Sequence, residues 1–366
     1  MLDRITLTRF RNHPETRLDG ASRFNLLIGE NGAGKTNVLE ALSLLAPGRG
    51  LRRAALGTMV QEGAAQGFAV SATLQSQHDA EPVTLATGTL PDRPGRRVVH
   101  VNGAQASALG LGEWLGIGWL TPAMDRLFAE SAGGRRRFMD RMALAHDPTH
   151  ARHAAAYDKA LAERNRLVSG DGEPDPAWLD AIEAQMATSG AALAAGRVRW
   201  VEALNAELAH LPDQPFARPV LAHAPGGPLA AEDLAQELRT SRPRDRATGR
   251  TLAGPHRDDL VVTMAGKDMP AAACSTGEQK AMLIAIVLAH AAPLQDRAWA
   301  PERPGVLLLD EVAAHLDPLR RAALFERLRK GPAQVWMTGT ETAPFAAILD
   351  EAAVWQVAEG RVQRIS

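Results

Sequence analysis

Three short stretches, far apart in the chain, carry side chains that handle phosphate chemistry together. The first, Gly29-Glu30-Asn31-Gly32-Ala33-Gly34-Lys35-Thr36, fits G-x-x-x-x-G-K-[ST] at every required position. Glycines let the backbone wrap closely round a phosphate chain, so that its N–H groups and the N-terminus of the next helix face the negative charge. In that geometry Lys35 reaches the β- and γ-phosphates, the Thr36 hydroxyl ligates Mg²⁺, and Asn37 follows in the first helical turn. The pattern therefore implies a nucleoside triphosphate site. Its flanks agree. Phe24 to Ile28 is a short apolar run, as in a buried strand, and Val38, Leu42 and Leu45 recur at helical spacing until Pro47.

The second stretch is Val306-Leu307-Leu308-Leu309-Asp310-Glu311. Its apolar run suits a strand buried on both faces, expected beside the phosphate loop with its carboxyl end at the phosphates. There Asp310 holds the Mg²⁺ shell, and Glu311 orients and deprotonates an attacking water. The third, Ser275-Thr276-Gly277-Glu278-Gln279, opens an apolar helix and offers a hydroxyl and backbone N–H groups to a phosphate. Asp317 before Pro318 reads as the N-cap of a later helix. The third stretch, with Glu311 and Asp317 downstream, resembles the signature and D-loop of the ABC ATPases. In that superfamily the signature of one subunit completes the nucleotide site of another.

The elements that must position these groups read as follows. Ile5 and Leu7 alternate with threonines in a first strand, and Thr16 to Leu18 is its return. From Gly67 to Val101 short alternating pieces with an Asn102-Gly103 turn predict an antiparallel layer beside the nucleotide core. From about Met124 to Thr240 the pattern is helical and alanine-rich. One helix runs from Arg135 to His146 and a second from Asp147-Pro148 to about Val168. A long third, from Trp178 to about His210, forms a short arm. The fold class is α/β: a P-loop mixed sheet with an antiparallel β layer, plus an inserted helical arm. The boundaries are a first head lobe at 1–123, the arm at 124–245 and the completion of the head at 246–366.

The net charge of −1 announces no global attraction to nucleic acid, so any such contact must be local. One cysteine, Cys274, excludes an internal disulfide and suits a reducing cytosol. The N-terminus runs straight into a strand pattern, without the look of a signal peptide. The most apolar run, Ala281 to Leu294, is too short for a bilayer span and contains His290. No membrane association is expected.

The motifs in order resemble those of the RecF family, bacterial DNA repair and replication proteins related to the heads of SMC-type ATPases. They are Phe10-Arg11-Asn12, Asn31 to Ala41, Arg136 to Asp140, Gly254-Pro255-His256-Arg257-Asp258-Asp259-Leu260, Ser275 to Lys280 and Leu307 to Glu311. In the basic loop Gly48-Arg49-Gly50-Leu51-Arg52-Arg53, Gly50 departs from the serine usual in the family. The resemblance implies a weak, DNA-stimulated ATPase that binds ATP and Mg²⁺. It dimerises head to head around two nucleotides and binds double-stranded or gapped DNA while ATP is bound. With RecO and RecR it helps load recombinase at single-strand gaps, in the cytoplasm at the nucleoid. It also implies catalytic roles for Lys35, Asp310 and Glu311. Gly29 to Asn37, with Arg11 and Asn12, contact ATP, and Thr36 and Asp310 hold the metal. Ser275, Thr276, Gly277, Gln279 and Asp317 act across the dimer.

Candidate DNA contacts are Arg135, Arg136, Arg137 and Arg141, and a second cluster of Arg239, Arg242, Arg244 and Arg246. Each also reads as a solvated helix face or an internal pairing set. The alternative function is an ABC ATPase subunit coupled to a transporter or nuclease. The long insert before Ser275, and Thr338-Gly339-Thr340 in place of the transporters' switch histidine, argue against a transporter.

Overall fold

The structure, a computed structural model, describes residues 1–75, 81–170, 172–212, 214–291 and 303–366. The apolar run expected from Ala281 to Leu294 therefore ends outside the described residues. In chain order the elements begin with β1 (Leu2–Phe10), β2 (His13–Leu18), β3 (Phe24–Ile28) and α1 (Lys35–Ser43). Then come β4 (Ala69–Leu74), β5 (Val83–Leu90), β6 (Arg93–Val101), β7 (Ala104–Ala106) and β8 (Gly116–Leu120). Helices α2 (Ala132–His146), α3 (Thr149–Val168) and α4 (Pro176–Ala209) follow, then β9 (Pro219–Ala224), α5 (Ala231–Thr240) and α6 (Arg242–Thr248). The chain closes with β10 (Asp259–Met264), β11 (Met269–Pro270), α7 (Thr276–Ala291), β12 (Gly305–Leu309), α8 (Pro318–Lys330), β13 (Gln334–Gly339), β14 (Ala352–Ala358) and β15 (Arg361–Arg364).

The chain divides into two units, Met1–Asp125 with Val287–Ser366, and Arg126–Ile286. The first unit carries two six-stranded sheets. One is antiparallel, in the order β2-β1-β4-β5-β6-β7, as the alternation from Gly67 to Val101 implied. The other runs β15-β14-β3-β13-β12-β8, with every pair parallel except the terminal β14–β15 hairpin. Strand β3 is buried throughout, because β13 and β14 flank it on both edges. Between the sheets lies one apolar cluster that includes Ile5, Phe10, Val38, Leu42, Leu85 and Trp336. Arg97 on β6 ties the antiparallel sheet to the end of α1. It donates to the Gly48 and Ala46 carbonyls, and burial pushes its guanidinium down to about 10.

The neighbour of β3 corrects one expectation. Strand β12, which ends at Leu309 just before Asp310, is not beside the phosphate loop: β13 stands between β12 and β3. Both edges of β3 are already paired, so the two acids reach the loop from one strand further out.

The second unit centres on α3 and α4. Asp175 caps α4 by accepting from the Ala177 N–H (2.8 Å), and the 34-residue helix extends about 50 Å. Tyr157, Ile182, Met186, Leu193, Leu234 and Leu238 form its core. A three-stranded antiparallel sheet, β11-β10-β9, also belongs here. Strand β9 lies where a continuous helical pattern was expected, and its pairing with β10 draws the chain beyond residue 245 into this unit. The alternating burial of Pro219 to Ala222 marks it as a strand, but its alanines hid that alternation in the sequence.

Candidate functional site

The loop from Gly29 to Gly34 joins β3 to α1, and Gly34 holds the left-handed conformation with φ 117. A Cβ there would fall 2.7 Å from His13 Nε2, and one on Gly29 would fall 2.1 Å from the Val357 carbonyl oxygen. Glycine at both places is a steric requirement. The buried Lys35 side chain folds back over the loop, its Nζ donating to the Gly29 (2.6 Å) and Glu30 (2.8 Å) carbonyls. Desolvation lowers its pKa, against the pull of Glu311 and Asp310 nearby.

The Thr36 hydroxyl lies 2.9 and 3.1 Å from the two carboxylate oxygens of Asp310. Residues from opposite ends of the chain thus meet where the sequence motifs predicted a metal shell. A hydroxyl and a carboxylate are hard oxygen donors that suit Mg²⁺, which takes its remaining ligands from phosphate and water. Among the described residues no group of three or more His, Cys, Asp or Glu could form a self-sufficient protein cage.

Glu311 follows with φ 54, a left-handed conformation rare for a side chain of its kind. Its N–H donates to Thr338 Oγ1 (2.9 Å), and the Thr338 hydroxyl donates to Asp310 Oδ1 (2.8 Å). In the sequence, Thr338-Gly339-Thr340 stands out only by lacking a histidine. The intervening β13 is what delivers Thr338 to both acids.

Arg11 and Asn12 brace the loop and α1 in this structure. Arg11 makes a bidentate pair with the fully buried Glu40 (2.9 and 2.8 Å), which Arg52 also meets at 2.9 Å. Asn12 donates to the Ala33 carbonyl (3.0 Å) and accepts from Asn37 (2.7 Å). His13 Nε2 lies 3.1 Å from the Gly34 carbonyl, a contact that the motif reading missed.

In the second unit Ser275 and Glu278 form a reciprocal capping box at the start of α7. The Ser275 N–H (2.9 Å) and hydroxyl (2.8 Å) both donate to the Glu278 carboxylate, and the Glu278 N–H points back at Ser275 Oγ (3.3 Å). Lys267 pairs with the same carboxylate, and together these hold Glu278 down at about 2. The Gln279 side chain is buried and donates to the Cys274 carbonyl (2.9 Å), so in this structure it is engaged inside its own helix start. Glu278 is half-buried, and the Ser-x-x-Glu spacing is the sequence signal for its capping role. Thr276 begins α7, and a Cβ on Gly277 would meet nothing within 4 Å. In the first unit Asp317 caps α8, accepting from the Arg320 N–H at 2.9 Å.

The candidate DNA contacts separate by what already holds them. Arg135 makes a bidentate pair with Asp259 (2.8 and 2.7 Å). Arg141 lies over the Phe138 ring, and burial pushes its guanidinium down to about 9. Arg136 donates to the Asp258 carbonyl (2.6 Å). Only Arg137 of the four is exposed, and among the described residues no carboxylate pairs with it. In the second cluster Arg239, Arg242 and Arg244 pair with Asp180, Glu183 and Glu237, and Arg246 donates to the Gly172 carbonyl. His256 bonds Tyr157 (2.8 Å) and Thr251 (3.0 Å), whereas Arg257 is exposed and unpaired among the described residues.

A phosphate loop on a parallel strand, two acids arriving from a second strand and a flanking antiparallel sheet define a nucleotide-binding head of the ABC and SMC type. The chain belongs to the RecF/RecN/SMC N-terminal domain family, whose model matches residues 1–361, and within it to the RecF proteins. It is 46% identical to the DNA replication and repair protein RecF of Mesorhizobium japonicum, over 99% of this chain and 97% of that one. It is also 46% identical to RecF of Brucella suis, over 99% and 96%. Among solved structures it is similar to a recombination mediator protein RecF with ATP, described as part of the RecFOR pathway. That likeness has a TM-score of 0.84 and 23% identity, covering 100% of this chain and 97% of that one. The Smc head of Pyrococcus furiosus with the C-terminal domain of ScpA is a more distant fold neighbour (TM-score 0.55, 17% identity, 100% and 95% covered). Among the described residues no helix is long and apolar enough to cross a membrane.

Proposed function

We propose that the chain is an ATP-gated DNA-binding protein of recombinational repair, with slow ATP hydrolysis that ends the DNA-bound state. The observation that carries this reading is the meeting of Thr36 and Asp310 beside Lys35, at 2.9 Å. ATP takes the phosphate loop, and Lys35 exchanges its two carbonyl partners for the β- and γ-phosphates. Thr36 and Asp310 would hold Mg²⁺, which supplies charge neutralisation on the phosphates when bound. Glu311 orients and deprotonates the water that attacks the γ-phosphate.

Two copies pair head to head, and Ser275 and Gly277 of one copy meet the nucleotide of the other. The relatives' name and the RecFOR description of the fold neighbours support a place in repair beside RecO and RecR. Backbone contacts to double-stranded DNA and gap junctions fall to exposed, unpaired arginines such as Arg137 and Arg257, with steep salt dependence. The test is fluorescence anisotropy of a labelled gapped duplex, titrated with protein in the presence and absence of Mg-ATP. Tighter binding in ATP, reversed on hydrolysis, is expected. Equal binding in both states would overturn the gating.

A further inference from the structure

We propose that Thr338 is a positioning residue for hydrolysis, setting the metal-shell carboxylate and the catalytic glutamate with a single hydroxyl. The inference rests on the ATPase reading given above and deepens it. Thr338 is fully buried at the end of β13. Its register is fixed on both sides: it pairs with Leu27 of β3, while its neighbour Met337 pairs with Leu309 of β12. The strand between the two motifs therefore carries its side chain to the point where both end.

There the hydroxyl has two opposite roles. It donates its proton to Asp310 Oδ1 (2.8 Å) and accepts the Glu311 N–H (2.9 Å). The first bond leaves Asp310 Oδ2 as the oxygen without a second protein donor, since Thr36 also lies 2.9 Å from Oδ1 and 3.1 Å from Oδ2. Such a bond fixes the carboxylate's rotation, as partners behind metal ligands do elsewhere. The second bond holds the peptide at which the chain turns into the left-handed region, Glu311 having φ 54. A non-glycine residue keeps that conformation only where its surroundings over-determine it. With the hydroxyl gone, the half-buried Glu311 N–H loses its partner and the carboxylate loses its orienting donor.

Thr338→Val keeps the branched shape and removes both bonds, while Thr338→Ser keeps the hydroxyl. The experiment measures single-turnover ATP hydrolysis against Mg²⁺ concentration, and ATP affinity in EDTA, for wild type and both variants. The EDTA measurement reports an intact phosphate loop without the metal. The expected result for Thr338→Val is a fall in the rate constant of about tenfold or more and a several-fold rise in the Mg²⁺ needed for half-maximal rate. ATP affinity in EDTA stays within about twofold of wild type, and Thr338→Ser recovers the rate to within about threefold. Wild-type rate and Mg²⁺ dependence in Thr338→Val would overturn the inference alone. So would equal losses in both variants together with lost binding in EDTA, which would make Thr338 a packing residue. A wild-type chain that binds no ATP would overturn the inference and the ATPase reading together.

Discussion

Arg164 in the second unit and Lys35 in the first are both buried cations, and they are held in different ways. Arg164 makes four hydrogen bonds, to Glu183 (3.0 Å), Asp245 (2.7 Å), Thr251 (2.8 Å) and the Leu238 carbonyl (2.8 Å). Arg197 repeats the arrangement, with Asp140 and Asp258 at 2.8 Å and the Pro255 carbonyl at 2.7 Å. Lys35 rests on two neutral carbonyls, and among the described residues no carboxylate lies within ion-pair distance of it. A cation already matched by buried anions is part of the frame, because releasing it strands both charges. A cation parked on carbonyls can pass to a phosphate at small cost. The state of a charge's present partners, rather than its burial, separates structure from function here.

The largest effect is expected at Arg164. Arg164→Ala leaves the buried Asp245 without its cation and Glu183 with Arg242 alone, and is expected to cost about 3–5 kcal/mol in chemical denaturation. Lys35→Ala should do the reverse. Nucleotide affinity falls by about 100-fold, the loss of charged hydrogen bonds totalling roughly 3 kcal/mol, while stability without nucleotide stays near wild type. If Lys35→Ala unfolds the protein, or Arg164→Ala leaves stability intact, the distinction fails.

Acid sharpens it next. Burial alone would raise the Asp140 carboxyl, but hydrogen bonds from His150 and Arg197 overcome burial and hold it at about 2. A depressed carboxylate pKa contributes stability that is complete above the unfolded value near pH 4 and is lost as pH falls toward 2. That contribution is about 2 kcal/mol. Denaturant midpoints measured from pH 5 to 2 should fall in this window, and Asp140→Asn should flatten the slope. The smallest effect is expected at Arg137→Ala, which should lower the salt dependence of DNA binding by about one contact without changing stability. Arg135→Ala, which breaks the pair with Asp259, should act on stability instead.

What the sequence displayed and what it hid follow the same division. The phosphate loop and the Asp310-Glu311 run are local patterns whose chemistry is written in adjacent residues, and their partnership through Thr36 followed from them. The identity of the strand between them did not. Nothing in Gln334 to Gly339 states that it pairs with β3, so Thr338 was visible only as a missing histidine. Gln279 and Glu278 are neighbours on one helix turn. Which of them faces solvent depends on the direction α7 buries, although the capping-box spacing pointed to Glu278. Arg135 meets an aspartate 124 positions away, and Arg164 meets one 81 positions away. Composition shows such arginines as a basic cluster, because the anions that neutralise them come from distant segments. Strand β9 was missed for a related reason, since its alternation matters only once β10 lies beside it.

The first unit is proposed to bind ATP in a site that a second copy completes. Light scattering of Glu311→Gln with and without Mg-ATP tests this pairing, because the variant keeps every phosphate contact and loses the carboxylate proposed to activate the attacking water. A monomer without nucleotide and a persistent particle of twice that mass in Mg-ATP are expected. A monomer in saturating Mg-ATP would contradict it.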